Sequence, residues 1–211
     1  MQVIKLNIVM SYPVRWTKYN IINNYVQNFY DALGIKNFIS GFHYKLENNI
    51  LTMSADRGFS KEWLLYIGAS TKSNKRQAGG FGEGFKIASL VAYRDFNLSI
   101  KMESQDWVLQ VTEILDTIDG EEKKFLAYKI EERPYQENSI LYLENATEDL
   151  LKEVVKQVNY FYFEENERFG ECIVNTEDYA IYKAKKYESN KKCLELCLHL
   201  INTGKLYECL L

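Results

Sequence analysis

The chain has 211 residues, 46% hydrophobic and 14% aromatic, enough apolar material for one substantial core or for one core with a small appendage. Its formal net charge of -3 comes from 26 basic and 29 acidic residues mixed along the chain, so no long-range field marks a nucleic-acid or membrane partner. No stretch approaches the roughly 18 consecutive apolar residues of a membrane span and no apolar signal core opens the chain, so the expectation is a cytoplasmic protein without a membrane partner.

The apolar residues Ile22, Val26, Phe29 and Leu33 recur at three and four, which predicts an amphipathic helix between Arg15 and Leu33. Asn24, Asn28 and Asp31 recur on another face of it. Two alternating runs follow, Phe42 to Glu47 and Ile50 to Ala55, and Asn48-Asn49 between them reads as a hairpin turn that tolerates positive φ. The second strand delivers Asp56 to its end. Ser60 is a plausible N-cap for a short helix through Trp63, Leu64 and Ile67, and Gly68 to Gly84 then reads as a mobile, glycine-rich loop. A helical pattern resumes from Phe85 to Arg94, so this loop empties into a helix N-terminus.

Four β-rich runs come next: Phe96 to Met102, Trp107 to Ile114, Phe125 to Ile130 and Ile140 to Leu143, with Asp119-Gly120 as a turn signal. Thr147 can cap a helix through Leu150, Leu151, Val154, Val155 and Val158. From about Glu164 the pattern is weaker, with short strands expected near Cys172 to Val174 and Tyr179 to Tyr182. The apolar run Leu206 to Leu211 gives the expectation of a longer protein with a further domain beyond residue 211. Residues 1–163 are read as one domain and 164–211 as an extension. Cys172, Cys193, Cys197 and Cys209 are too sparse for a disulfide scaffold, and Cys193, Cys197 and His199 match no common zinc spacing.

The sharpest local signal is Gly79-Gly80-Phe81-Gly82-Glu83-Gly84 followed by Phe85-Lys86. Glycines let a backbone approach phosphates closely, and a helix starting at once aims unpaired N–H groups at an anion. Taken alone, such a run also fits a flexible surface loop. It is neither a P-loop nor a Rossmann fingerprint, because no Gly-Lys-Ser/Thr ends it and no strand feeds directly into it.

Read in order, Asn24-x-x-x-Asn28-x-x-Asp31-Ala32, Asp56-x-Gly58, Gly68-x-Ser70-Thr71-Lys72 and the glycine run resemble the consecutive motif boxes of GHKL ATPases, the superfamily of gyrase B, heat-shock chaperones, histidine kinases and MutL. Asn138-Ser139-Ile140 is a weaker match to a Gly-Thr pair before a strand. The likeness spans about residues 15–143, and the glycine box with Phe85 looks most like chaperone and MORC-type members. It implies an α+β two-layer sandwich, the Bergerat ATP-binding fold, with a mostly antiparallel sheet and a glycine-rich lid. It also implies ATP and Mg2+ as cofactors. Asn28 would be the magnesium ligand, with Asp31 on the same face. Asp56 would accept from the adenine amine, Gly58 would leave room for the base, and Ser139 would assist through water. Ser70, Thr71 and Lys72 would reach the phosphates from the lid, and residues 79–85 would cradle them. Lys86 is a weaker candidate, read as an ordinary surface lysine of the helix.

The likeness breaks where hydrolysing members carry a general-base glutamate four residues before the magnesium asparagine. Here that position is Asn24, whose amide cannot take up a proton near neutral pH. Ser60 also stands where a second glycine is usual. The resemblance therefore implies a nucleotide-driven switch with weak or conditional ATP hydrolysis, Glu83 being an alternative base, and a nucleotide-dependent homodimer as the form of coupling. The rivals are a non-hydrolysing nucleotide sensor, a degenerate interaction module, and a phosphotransferase of histidine-kinase type. Against the last, neither His43 nor His199 lies in a recognisable phosphoacceptor helix.

Overall fold

The computed structural model describes residues 1–61, 64, 83–163, 166, 169–176, 179–184, 195–200 and 206–210. It is an α+β sandwich whose strand pairs, among the described residues, are all antiparallel. The elements in order are β1 (Gln2–Val9), α1 (Lys18–Leu33), α2 (Phe38–Gly41), β2 (Phe42–Glu47), β3 (Ile50–Ala55), α3 (Gly84–Phe96), β4 (Ser99–Ile118), β5 (Glu121–Glu144), α4 (Glu148–Val158), β6 (Phe169–Asn175), β7 (Tyr179–Ala184), β8 (Glu195–Leu200) and β9 (Leu206–Leu210). Strand β5 is the spine. One of its edges is paired along its length with β4; the other carries β1 at one end and β3, then β2, at the other.

Local chemistry accounts for most boundaries. Thr17 and Asn20 form a reciprocal capping box at the start of α1, and Gly34, at φ 74°, ends it by donating to the Tyr30 carbonyl at 2.8 Å. Asn48 and Asn49 sit at φ 50° and 60° in the β2–β3 turn, and Asp119-Gly120 at 50° and 83° in the β4–β5 turn, as both dipeptides indicate. Thr147 is the N-cap of α4, whose buried Leu150, Val154 and Val158 join Ile22, Val26 and Phe29 of α1 and Leu51, Met53, Ile100 and Met102 of the sheet in one core.

The four β-rich runs expected between residues 96 and 143 are two long strands instead. In β4 the buried residues are Ile100, Met102 and Ser104, then Trp107, Leu109 and Val111, so the inward phase slips by one. The cause is a bulge at Gln105, which stands at φ 46°. Opposite it, Ser104 pairs with Ser139 and Trp107 with Glu132, so β5 bows out around Pro134. A proline lacks the N–H of a regular ladder and is tolerated at such a bow.

Strand β1 is a further element, absent from the expected ones, in which Ile4, Leu6 and Ile8 alternate with Lys5 and Asn7. The Met10 to Val14 segment leads from it into α1, and Arg94 of α3 clamps it. The guanidinium donates to the carbonyls of Met10 at 2.9 Å and of Tyr12 and Val14 at 2.8 Å, while pairing with Asp95, whose carboxyl it holds below the usual range. Replacing Arg94 with Ala should cost about 2 kcal/mol through the loss of charge-assisted hydrogen bonds, read by urea denaturation. A loss within experimental error would mean the clamp contributes nothing.

Strands β6 to β9 form a second, four-stranded antiparallel meander. The expected strands near Cys172 and Tyr179 are its first two. Phe161 and Phe163, just before it, pack beside Phe38, and Tyr30 donates to the Tyr162 carbonyl at 2.9 Å. No described helix is long and apolar enough to cross a membrane.

Candidate functional site

Ser70, Thr71, Lys72, Gly79, Gly80, Phe81 and Gly82, with the expected short helix through Trp63 and Ile67, lie outside the described residues. The remaining candidates fall into two clusters. The first joins α1 to the start of α3. Asn28 Nδ2 donates to Asn24 Oδ1 at 3.3 Å, one helical turn away. The Asn24 amide in turn lies against Gly84, where an added Cβ would stand 2.7 Å from Oδ1 and 2.9 Å from Cγ. A side chain at Gly84 would therefore displace the Asn24 amide, and the last glycine of the run abuts Asn24.

Glu83 is the exposed N-cap of α3 and makes no side-chain capping bond. Phe85, by contrast, is buried, 5.6 Å from the Tyr25 ring and 6.4 Å from that of Tyr128. Its place is in the core beneath the helix start. Lys86 corrects the expectation of a surface lysine: it is 1% exposed, and burial pushes its ammonium down to about 8 against the opposing pull of Glu83. Helix α3 buries residues on nearly every face, from Phe85 and Lys86 through Ala88, Ser89, Leu90, Val91 and Ala92, so Lys86 has no outward side to occupy.

The second cluster is the turn after β3. Ser139 Oγ donates to the Arg57 carbonyl at 2.8 Å, and Ser104 Oγ accepts from the Phe59 amide at 2.9 Å. These two fully buried serines are cross-strand partners at the bulge. Trp107 Nε1 donates to the Phe59 carbonyl at 3.1 Å, with the rings 5.8 Å apart and edge-on. A Cβ on Gly58 would meet Gln105 Cγ at 2.7 Å and Ser104 Oγ at 3.2 Å. The sheet irregularity therefore receives the turn closely and holds it by its backbone.

Asp56 is fixed by its amide, which donates to the Gly41 carbonyl at 3.2 Å, while its side chain is 73% exposed and lies 3.7 Å from His43 Nε2. The Ser139 hydroxyl hydrogen goes to the Arg57 carbonyl, one residue further along the turn. Arg57 links the turn to α1 through the Ala32 carbonyl at 3.5 Å, beside Asp31, which is half-buried. Ser104, Trp107 and His43 belong to this cluster and were missed in sequence. Ser104 carried a signal, being a polar residue in phase with Ile100 and Met102.

The donor set fits the implied cation. Asn28 spends its amide hydrogen on Asn24 and keeps Oδ1, a hard oxygen suited to Mg2+. No group of three or more His, Cys, Asp or Glu that could hold a metal ion occurs among the described residues. Compared with protein-family models and with curated proteins, the chain matches none.

Proposed function

We propose that this protein binds ATP with Mg2+ in the manner of GHKL domains and uses the nucleotide as a conformational switch. The observation that carries the reading is the junction of Asn24, Asn28 and Gly84: two amides one turn apart on α1, packed on the first residue of the helix that follows the glycine run. A helix N-terminus favours an anion, and Asn28 Oδ1 would take the cation that accompanies it. Bound Mg2+ would neutralise charge on the phosphates. Asp56, exposed after β3, would accept from the adenine amine, with the Gly58 turn held by Ser104 and Ser139.

Hydrolysis would be weak or conditional. Asn24 cannot serve as a base, and Glu83, one residue from the Gly84 contact, is the nearest carboxylate in sequence to that junction. The same Asn24 favours the second reading, a nucleotide sensor that binds without turnover.

Calorimetry with a non-hydrolysable ATP analogue separates the roles. Asn28→Ala should remove the Mg2+-dependent part of binding, about tenfold for the loss of one charge-assisted ligand. Asp56→Asn should weaken binding with and without the cation and reduce preference for adenine over hypoxanthine nucleotides. Variants that fold and bind like the wild type would reject these assignments.

A further inference from the structure

His43 on β2 and Asp56 after β3 are brought together by the register Phe42↔Ala55, which the Asp56 amide extends to the Gly41 carbonyl. Their side chains are 59% and 73% exposed, so protons and a ligand both reach the pair from solvent. We propose that His43 is a pH-sensitive gate on Asp56: its imidazolium engages the carboxylate that otherwise accepts the adenine amine. This rests on the assignment of Asp56 to the base.

The gate follows from what each form of the imidazole offers. A protonated imidazole is a cation that attracts a carboxylate, whereas the neutral ring carries no charge to do so. Neutral His43 leaves the carboxylate to a ligand; charged His43 competes for it at the 3.7 Å separation. Among the described residues, the charged side chains next to the pair in sequence have partners of their own. Lys45 of β2 pairs with Glu47 at 2.8 Å, and Arg57 donates to the Ala32 carbonyl at the end of α1, where Asp31 also sits. Helix α2 carries no charged residue. Helix α4 packs against β2 with Leu150, Val154 and Val158 buried in the core, where Phe42 also points, whereas His43 is on the outward phase. Strand β5 sets the neutral Ser139 opposite Ala55. His43 is the only histidine on any of these elements; the other, His199, is in β8.

The test is calorimetry with Mg2+ and a non-hydrolysable ATP analogue at pH 5.5 and pH 7.5, for the wild type and for His43→Gln. Phosphate protonation affects both proteins equally, so it cancels in the comparison. The wild-type affinity ratio between the two pH values should exceed that of the variant by about threefold, the scale of an exposed ion pair. His43→Thr, suited to an edge strand, should behave like His43→Gln, and His43→Lys should be weakened at both pH values. Equal ratios in wild type and variants would overturn the gate and leave the ATP reading standing. No binding by wild type at pH 7.5 would overturn both.

Discussion

Asn24→Glu is expected to raise steady-state phosphate release from ATP by on the order of 10²-fold, the low end of what a positioned general base contributes. The argument is geometric as well as chemical. Asn24 projects from α1 onto Gly84, and its Oδ1 already accepts from Asn28, so the side chain stands between the candidate magnesium ligand and the start of α3. A glutamate adds one methylene and a basic oxygen at that junction. The glycine opposite lets the Asn24 side chain lie directly on the backbone, which a larger residue would prevent. Turnover unchanged or lowered, in a variant that still binds nucleotide, would count against Asn24 occupying the base position. Glu83→Gln is the companion: if Glu83 serves as the base in the wild type, the residual turnover disappears with it.

Trp107→Ala carries the largest expected cost to stability, about 3–5 kcal/mol, as for other large aromatic truncations in a core. Its side chain is 1% exposed and among the largest fully buried ones, and its indole N–H holds the Phe59 carbonyl. Truncation would open a cavity beneath the bulge and free the turn that carries Asp56 and Gly58, so nucleotide affinity should fall along with stability. Trp107→Phe keeps much of the packing and loses the donor, and about 1–2 kcal/mol should separate it from wild type. Urea denaturation followed by circular dichroism reads both. A cost below 1 kcal/mol for the alanine variant would show that Trp107 does not support the turn.

The elements legible in sequence were those with local chemistry. Asn48-Asn49 and Asp119-Gly120 announced their turns because a positive φ restricts residue choice. Helices α1 and α4 announced themselves because one face alone is apolar. Strands β4 and β5 were read in pieces for a definite reason. The bulge at Gln105 reverses the inward phase between Ser104 and Trp107, and Pro134 reads as a break, so one hairpin has the pattern of four short strands. Strand β1 did carry a signal, the alternation Ile4-Lys5-Leu6-Asn7-Ile8 that buries Leu6 and Ile8, but it is only five residues long and is flanked by Val3 and Val9 on the other face. Lys86 was misread because a charged side chain is normally a surface marker, whereas α3 is enclosed on most sides.

The candidate site divides in the same way. Asn24, Asn28 and Gly84 were singled out in sequence, and the structure places Asn24 against both of the others. The support of the Asp56 turn was not. Ser104, Trp107 and His43 lie on strands distant in sequence from it or across a hairpin, and only strand pairing shows that they converge. Ser139 was singled out, and its hydroxyl donates to the Arg57 carbonyl in the same turn.

The most direct measurement is a calorimetric titration of the wild-type protein with a non-hydrolysable ATP analogue, with and without Mg2+. The account predicts saturable binding at sub-millimolar concentration, tightened by Mg2+. Absence of binding under both conditions would contradict it.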